Sequence, residues 1–188
     1  RHYTNKERIF RVVLQGSMDG EVLKSVHFQQ LFAETLESTY PEIQKAGKIN
    51  TSELFGAGRR ALRVKGEVES NLEEGFVFAD QEVFEILELD LKEGNPNEVL
   101  KNPGSLVMTE VRAAKHFPNG NAIGKTVYLD DDTNRPYTVT GVVKVDPLKK
   151  SHLDFDYLMV IEDKNSDWLT TNYFTYILVD ENTDIAGL

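Results

Sequence analysis

Residues 102–145 decide the fold of this chain, and they read N-P-G-S-L-V-M-T-E-V-R-A-A-K-H-F-P-N-G-N-A-I-G-K-T-V-Y-L-D-D-D-T-N-R-P-Y-T-V-T-G-V-V-K-V. Ser105–Met108 is a short apolar run that predicts a strand. Thr109 follows it and can cap a helix, because its hydroxyl can accept a free first-turn amide. Apolar residues then recur at helical spacing, at Val111, Ala114 and Phe117. A Pro-Asn-Gly turn ends the predicted helix.

The second half of this stretch predicts a β-hairpin. Thr126–Leu129 and Tyr137–Val145 each alternate apolar and polar residues, as half-buried strands do, and Asp130–Pro136 lies between them. The three aspartates at the start of this loop could hold calcium, which takes six to eight oxygen ligands. In the EF-hand pattern, however, Arg135 and Gly141 stand where Gly and Glu belong. The spacing favours an acidic hairpin tip.

The rest of the chain mixes strands with two further helices. Arg8–Gln15 predicts the first strand, and Ser17–Lys24 a loop. A helix is predicted over Val26–Tyr40, where apolar residues form a core-facing stripe, and Asp80 caps a shorter one. The acidic run Glu67–Glu74 predicts a solvated hairpin. Further strands are predicted over Ile43–Phe55, Arg59–Lys65, Gly75–Ala79, Ser151–Ile161 and Tyr173–Val179.

Composition excludes several classes of function. The chain has 188 residues, 40% of them hydrophobic, which is enough for a folded core. A net charge of −10 argues against non-specific binding to nucleic acid or to anionic lipid. The absence of cysteine excludes disulfides, zinc–thiolate sites and thiol catalysis. No apolar run approaches the roughly 18 residues of a membrane span.

Both ends of the chain suggest a piece of a longer protein. The sequence starts at Arg1 without a secretory signal. Near the other end, Thr183 is placed to cap a helix that Leu188 cuts off after about one turn. We therefore expect a mature or excised segment.

The sequence offers few candidate site residues. His152, Asp154 and Asp156 alternate along a predicted strand, so one face could present an imidazole and two carboxylates to a metal ion. A buried or hinge-stabilising histidine is the simpler interpretation. Trp168 and Tyr173 are candidate partner contacts, because aromatic side chains anchor many interfaces. No nucleophile motif is present, so we expect no catalytic residue, no cofactor and no enzymatic activity of the domain itself.

The order of several segments carries a family resemblance. A-A-K-H-F-P-N-G-N-A-I-G-K-T-V-Y-L is followed by Y-T-V-T-G-V-V-K-V and then S-H-L-D-F-D. E-R-I-F-R-V-V-L-Q-G and Ala79–Leu100 precede them. This set resembles the extracytoplasmic (periplasmic) core domain of MacB/FtsX-type ABC transporter permeases, and is most similar to the branch found in Bacteroidetes-like bacteria. Ala122 departs from the pattern, which has Pro there, and affects only the stiffness of a turn.

The resemblance implies an α+β fold of two lobes. Residues 1–69 and 150–188 would form a discontinuous, porter-like lobe built from β-α-β elements. Residues 70–149 would form an inserted, mixed lobe that is similar to the Sabre subdomain of the family.

The resemblance also implies a function. The chain would be a non-catalytic domain on the periplasmic side of the bacterial inner membrane, attached through flanking transmembrane helices. It would couple cytoplasmic ATP hydrolysis to movement outside the membrane, for efflux or for lipoprotein or peptide handling. Its partners would be a second permease copy, a cytoplasmic ATPase and, in some relatives, a periplasmic adaptor or lipoprotein. The alternative is an envelope ligand-binding or sensory module, which would need a preformed pocket.

Overall fold

A computed structural model describes residues 5–18, 21–144, 154–162, 168–169 and 171–188. The α-helices of this part of the chain are α1 (Phe32–Thr39), α2 (Gln81–Ile86) and α3 (Glu110–His116). Its strands are β1 (Ile9–Arg11), β2 (Leu14–Met18), β3 (Glu21–Ser25), β4 (Phe28–Gln29), β5 (Ile43–Asn50), β6 (Gly58–Val64), β7 (Asn71–Ala79), β8 (Leu91–Gly94), β9 (Ser105–Thr109), β10 (Thr126–Leu129), β11 (Tyr137–Val143), β12 (Tyr157–Val160) and β13 (Thr171–Val179). The α+β fold class is confirmed. None of these helices exceeds eight residues, whereas crossing a membrane takes about 20.

Six of the strands close into a barrel. Around the ring, β6 pairs with β7, β7 with β12, β12 with β9, β9 with β11, β11 with β10, and β10 again with β6. Buried side chains of all six strands form one apolar cluster. Ala113 and Phe117, from α3 and its C-terminal end, join this cluster. A barrel of this size is filled by its own side chains, so its interior is a core and not a pore.

An outer sheet extends from the barrel through β7. The last residues of β7 pair with β5, with Ala79 opposite Ile49, and the sheet continues through β13 to β1. Helix α1 packs on this outer sheet through Ala33. Helix α2 packs against both units, because its apolar side chains share one cluster with Tyr176 of the outer sheet and Leu158 of the barrel wall. Strand β7 therefore belongs to the outer sheet and to the barrel.

The two ends of the described chain meet in the outer sheet. Strands β1 and β13 are antiparallel neighbours, with Ile9 opposite Leu178. Arg8 joins them, since its Nε donates to the Val179 carbonyl at 2.7 Å and its Nη2 donates to Gln44 Oε1 at 2.5 Å. We call this region the base of the domain.

The predicted division into two lobes stays a prediction. Strand β6 lies before the predicted border at residue 69, and β12 lies after the border at residue 149. Both nevertheless pair with strands inside the predicted insert, so one sheet runs across both borders.

Two predictions near the N-terminus are wrong in part. The helix predicted over Val26–Tyr40 begins only at Phe32, because Phe28 pairs with Tyr173 as part of β4. The predicted first strand stops at Arg11. Strands β2 and β3 pair with each other where the sequence predicts in part a loop. In both places pairing between distant or adjacent strands overrides the local pattern.

The helix caps predicted in the middle of the chain are confirmed. Asp80 Oδ1 accepts the Val83 amide at 2.9 Å, and Thr109 Oγ1 accepts the Arg112 amide at 3.4 Å. Val111, placed on the apolar stripe of its helix, is instead 61% exposed. At the C-terminal end the amide of Ala186 donates to the Asp184 side chain, so the predicted Thr183 cap is wrong.

Candidate functional site

A buried ionic cluster lies where α3 closes the barrel. The side chain of Glu73, on β7, is only 1% exposed. Arg112 Nη1 and Lys115 Nζ, both from α3, donate to its two carboxylate oxygens at 3.0 and 2.5 Å. Both cations remain partly exposed, at 26% and 47%. The carboxylate inside the barrel wall is thus held by two cations at its edge.

An irregularity in β7 explains how a glutamate comes to lie inside. Phe76 pairs with Gly58 and Glu73 with Arg60, so two residues of β7 between these pairs lie opposite one residue of β6. Gly75 lies in this bulge with φ +80°, a conformation that favours glycine. The extra residue turns both Phe76 and Glu73 inward, where simple alternation would bury only one of them.

His116 and Tyr157 complete the cluster. His116 Nε2 lies 2.9 Å from the Tyr157 hydroxyl and 3.5 Å from Glu73 Oε1. Burial lowers the pKa of His116 and raises the pKa of Tyr157, so both are neutral near pH 7. The ring of Phe76 stacks on Tyr157 at 4.2 Å. These groups bind one another inside the core, an arrangement suited to fixing α3.

Asp156, a candidate metal ligand, belongs to the same cluster. It accepts from Arg112 Nη2 at 2.6 Å, and this hydrogen bond raises the pKa of Arg112. Its backbone carbonyl accepts the Thr109 amide at 3.0 Å. Asp154 is exposed, and His152 lies outside the described residues. Among the residues that are described, no three His, Asp or Glu side chains are placed to share a metal ion.

Two arginines of β6 pair with aspartates at the tip of the β10–β11 hairpin. Asp130 and Asp131 take positive φ values of 54° and 58° and form a tight turn closed by the Asp132 amide and the Leu129 carbonyl. Asp130 pairs with Arg60. Asp131 accepts from Arg63 at 2.7 Å, which lowers the pKa of Asp131. These contacts support the hairpin tip over a calcium loop, because the guanidinium groups take oxygens that a cation would need.

A second buried carboxylate anchors α2. Asp80 Oδ2 accepts the Lys48 amide of β5 at 2.8 Å, while its Oδ1 caps the helix. Burial raises the pKa of Asp80 to about 8, although both amide hydrogen bonds act in the other direction. The backbones of α2 and β5 lie close together here, since a Cβ on Gly47 would lie 2.4 Å from the Val83 nitrogen. Helix α2 is therefore fixed directly to the outer sheet.

The opposite end of the barrel opens into a cavity. There the C-terminal ends of the parallel pair β7 and β12 meet the N-terminal ends of β9 and β11. The cavity has a volume of about 230 Å³ and includes Phe78, Tyr137 and Val160 in its walls. Arg135 and Glu162 also line it, with Arg135 Nη2 3.6 Å from Glu162 Oε2. We call this region the barrel mouth.

The two candidate partner contacts lie near each other in the chain. Tyr173 lines the barrel mouth, and its hydroxyl donates to Gln30 Oε1 at 3.4 Å. Trp168 is half exposed, and Leu169 beside it is 87% exposed. The role of Trp168 and Tyr173 in binding a partner stays a prediction.

The sequence did not reveal the ionic cluster. Glu73 belongs to the acidic run that the sequence predicts to be a solvated hairpin, and its burial shows that this expectation is wrong for Glu73, whereas Glu74, the last residue of the run, is exposed. The available signal was Gly75, because a glycine inside a strand pattern often marks a bulge.

Comparison with a family model gives a match over nearly the whole chain. The model describes the MacB-like periplasmic core domain, and it matches residues 3–188. No curated protein sequence matches the chain significantly.

Solved structures share the fold. A domain of a protein described as a permease from Porphyromonas gingivalis has a TM-score of 0.81 at 17% identity, over 100% of this chain and 79% of that one. The periplasmic region of MacB from Actinobacillus actinomycetemcomitans gives 0.62 at 18% identity, over 96% and 78%. The extracellular domain of the noncanonic ABC-type transporter YknZ from Gram-positive bacteria gives 0.59 at 13% identity, over 95% and 87%.

Proposed function

This chain belongs to the family of MacB-like periplasmic core domains, and we propose that it is a non-catalytic, extracytoplasmic part of an ABC transporter permease. It would couple ATP hydrolysis by a cytoplasmic ATPase to movement outside the membrane, in a permease that pairs with a second copy. The family match over residues 3–188 is the observation that carries this proposal. Efflux and the handling of lipoproteins or peptides are the transport roles it suggests.

A continuous mechanical path supports the coupling role. Movement that enters at the base, where β1 and β13 lie side by side, passes through β5 to β7. Because β7 is also a barrel strand, the barrel has to follow. Helix α2 packs against both the outer sheet and the barrel. Because close-packed side chains are hardly compressible, this contact transmits a displacement of the sheet to the barrel.

The chemistry of the buried polar groups supports a domain without catalytic activity. Glu73 is held by Arg112 and Lys115, and His116 contacts Tyr157. General acid–base catalysis needs a group that can exchange its proton near the working pH and reach a substrate. The buried positions of His116 and Tyr157 and their shifted pKa values favour a structural role instead.

The proposal can be tested by spin labelling in the complete permease, reconstituted with its ATPase in a lipid bilayer. Val68 and Leu54 are 94% and 91% exposed and suit labelling after substitution by cysteine; these 188 residues contain no cysteine, and any cysteine elsewhere in the permease is replaced first. A single label at residue 68 reports the distance between two copies, and a pair at 54 and 68 within one copy reports internal deformation. We expect ATP and Mg²⁺ to change the first distance and leave the second unchanged.

Two results would contradict this expectation. If nucleotide leaves the copy-to-copy distance unchanged from every labelled position while the ATPase is active, the domain does not follow hydrolysis. If the internal pair moves as much as the copy-to-copy pair, the domain is not a rigid transmitter. An ATPase that binds but does not hydrolyse ATP separates the effect of binding from that of turnover.

The alternative is an envelope ligand-binding or sensory module, and the cavity at the barrel mouth is the observation that favours it. Such a module would change conformation on binding its ligand, with or without nucleotide. The same labelled protein, titrated with peptide mixtures in the absence of ATP, discriminates between the two.

A further inference from the structure

We propose that the barrel mouth binds the C-terminal residue of a peptide, with an aromatic or large aliphatic side chain in the cavity and the terminal carboxylate on Arg135. This inference does not depend on the proposed coupling role, because the chain alone should show the binding.

The apolar walls and the volume of the cavity suit one side chain. Tyr137 and Val160 are 7% and 6% exposed, and with Phe78 they bring three barrel strands to one small space. Its volume of about 230 Å³ lies below the roughly 300–1,000 Å³ of pockets that hold whole drug-sized molecules. Phe55 at the rim is 51% exposed, so part of its ring is available for contact with an inserted side chain. One large side chain with its adjacent backbone matches this space.

The charges at the rim select a single carboxylate. The guanidinium side chain of Arg135 is 62% exposed, and it stands 3.6 Å from Glu162, beyond the distance of a normal hydrogen bond. A guanidinium can donate two parallel hydrogen bonds to a carboxylate. Glu162 and the net charge of −10 repel a second negative charge. The rim therefore suits a monoanion better than a phosphate dianion.

Two side-chain amides favour a peptide over a simple aromatic acid. Asn50 and Asn172 both line the cavity; the carboxamide of Asn172 has one acceptor and two donor hydrogens, and that of Asn50 has two donor hydrogens besides the oxygen that accepts from Ser52. A peptide group presents the complementary N–H and C=O. Asn50 is 4% exposed, and its Oδ1 accepts the Ser52 amide at 2.8 Å, so its orientation is fixed. A free aromatic acid would leave these amides without partners from the ligand.

The test uses the 188-residue chain and matched small probes. N-acetylphenylalanine, N-acetylphenylalaninamide and the tripeptide Gly-Gly-Phe are titrated while the fluorescence of Trp168, the single tryptophan, is recorded. Backbone amide shifts of ¹⁵N-labelled protein locate the binding. We expect saturable binding of the two carboxylates, with the tripeptide tighter, and shifts at Asn50, Phe78 and Asn172. The amide, which lacks only the carboxylate charge, should bind at least about tenfold more weakly, as the loss of about 1.4 kcal/mol implies.

Substitutions separate the site from general charge effects. Arg135→Gln should weaken N-acetylphenylalanine at least about tenfold, again about 1.4 kcal/mol. Arg59→Gln is its matched control, because that side chain has the same 62% exposure and pairs with Glu74 instead. It should bind like the original chain. Asn172→Asp, an isosteric change, should weaken binding by adding a negative charge inside the cavity.

Several outcomes would overturn the proposal. These are no saturable binding up to millimolar concentration, equal affinity for acid and amide, or equal losses in Arg135→Gln and Arg59→Gln. Amide shifts confined to the base or to the α3 end of the barrel would also overturn it. A circular dichroism spectrum unchanged from the original chain confirms that each variant is folded, so a loss of binding can be assigned to the cavity.

Discussion

Replacing Glu73 by glutamine tests whether the ionic cluster holds α3 on the barrel. The change keeps the shape of the side chain and removes its charge, so Arg112 and Lys115 lose the carboxylate that accepts from them at 3.0 and 2.5 Å. Removing one partner of a fully buried ion pair typically destabilises a protein by about 3–5 kcal/mol. Here the loss should be smaller. The two cations are 26% and 47% exposed and regain water, and Arg112 keeps Asp156 at 2.6 Å.

We therefore expect Glu73→Gln to lower the free energy of unfolding by about 2–3 kcal/mol. For a chain of this length that corresponds to a fall in Tm of about 4–12 °C. Urea denaturation followed by circular dichroism measures the first quantity and a thermal scan the second. Hydrogen exchange should show the largest loss of protection in α3.

The neighbouring glutamate provides the control. Glu74 pairs with Arg59 on the surface, where both side chains are about two-thirds exposed. Glu74→Gln should change the free energy of unfolding by less than about 0.5 kcal/mol, as is usual for exposed pairs. If both variants stay within that range of the original chain, the cluster contributes nothing to stability and our reasoning about α3 is wrong. A loss in Glu73→Gln spread evenly over all strands would equally contradict a local role.

Three further predictions concern other parts of the fold. Burial raises the pKa of Asp80 to about 8, so between about pH 4 and 8 the folded state holds a proton that the unfolded state has lost. The contribution of Asp80 to the free energy of unfolding therefore falls as pH rises through this range. As pH rises from 5 to 8, the free energy of unfolding of Asp80→Asn should increase relative to that of the original chain, as measured by urea denaturation. Gly75→Ala should lower the free energy of unfolding by about 1–3 kcal/mol, because its Cβ would lie 2.8 Å from the Asp156 nitrogen. Gly66→Ala is the control, because Gly66 also has a positive φ but has open space around it. It should show a smaller loss of stability, due to backbone strain alone. Arg8→Ala should speed hydrogen exchange in β1 and leave the barrel strands unchanged; equal exchange in β1 would refute its role at the base.

Local signals in the sequence predicted elements whose causes are local. The caps at Asp80 and Thr109 depend on an oxygen within three residues of the amide that it accepts, and both were found correctly. The β10–β11 hairpin follows from alternation on either side of an acidic turn. In each case the neighbours that determine the structure are adjacent in the chain.

Features that depend on distant partners were missed. Phe28 fits a helical stripe, but pairing with Tyr173, far along the chain, places it in a strand. Nothing in the periodicity of β6 indicates that it would join both β7 and β10 and close a barrel. The sequence alone predicts that Glu73 is one of several solvated acidic residues, because its partners come from α3, far along the chain. Sequence periodicity reports which face of an element is apolar, not which element covers it.

The side-by-side placement of Ile9 and Leu178 has an engineering consequence. Paired antiparallel strands hold such residues about 5 Å apart, so a surface loop of an unrelated protein could receive this unit by opening only that far. The two connections to the recipient would run through the neighbouring antiparallel strands β1 and β13. Ile9 and Leu178 are thus suitable points at which to join this domain to a scaffold protein.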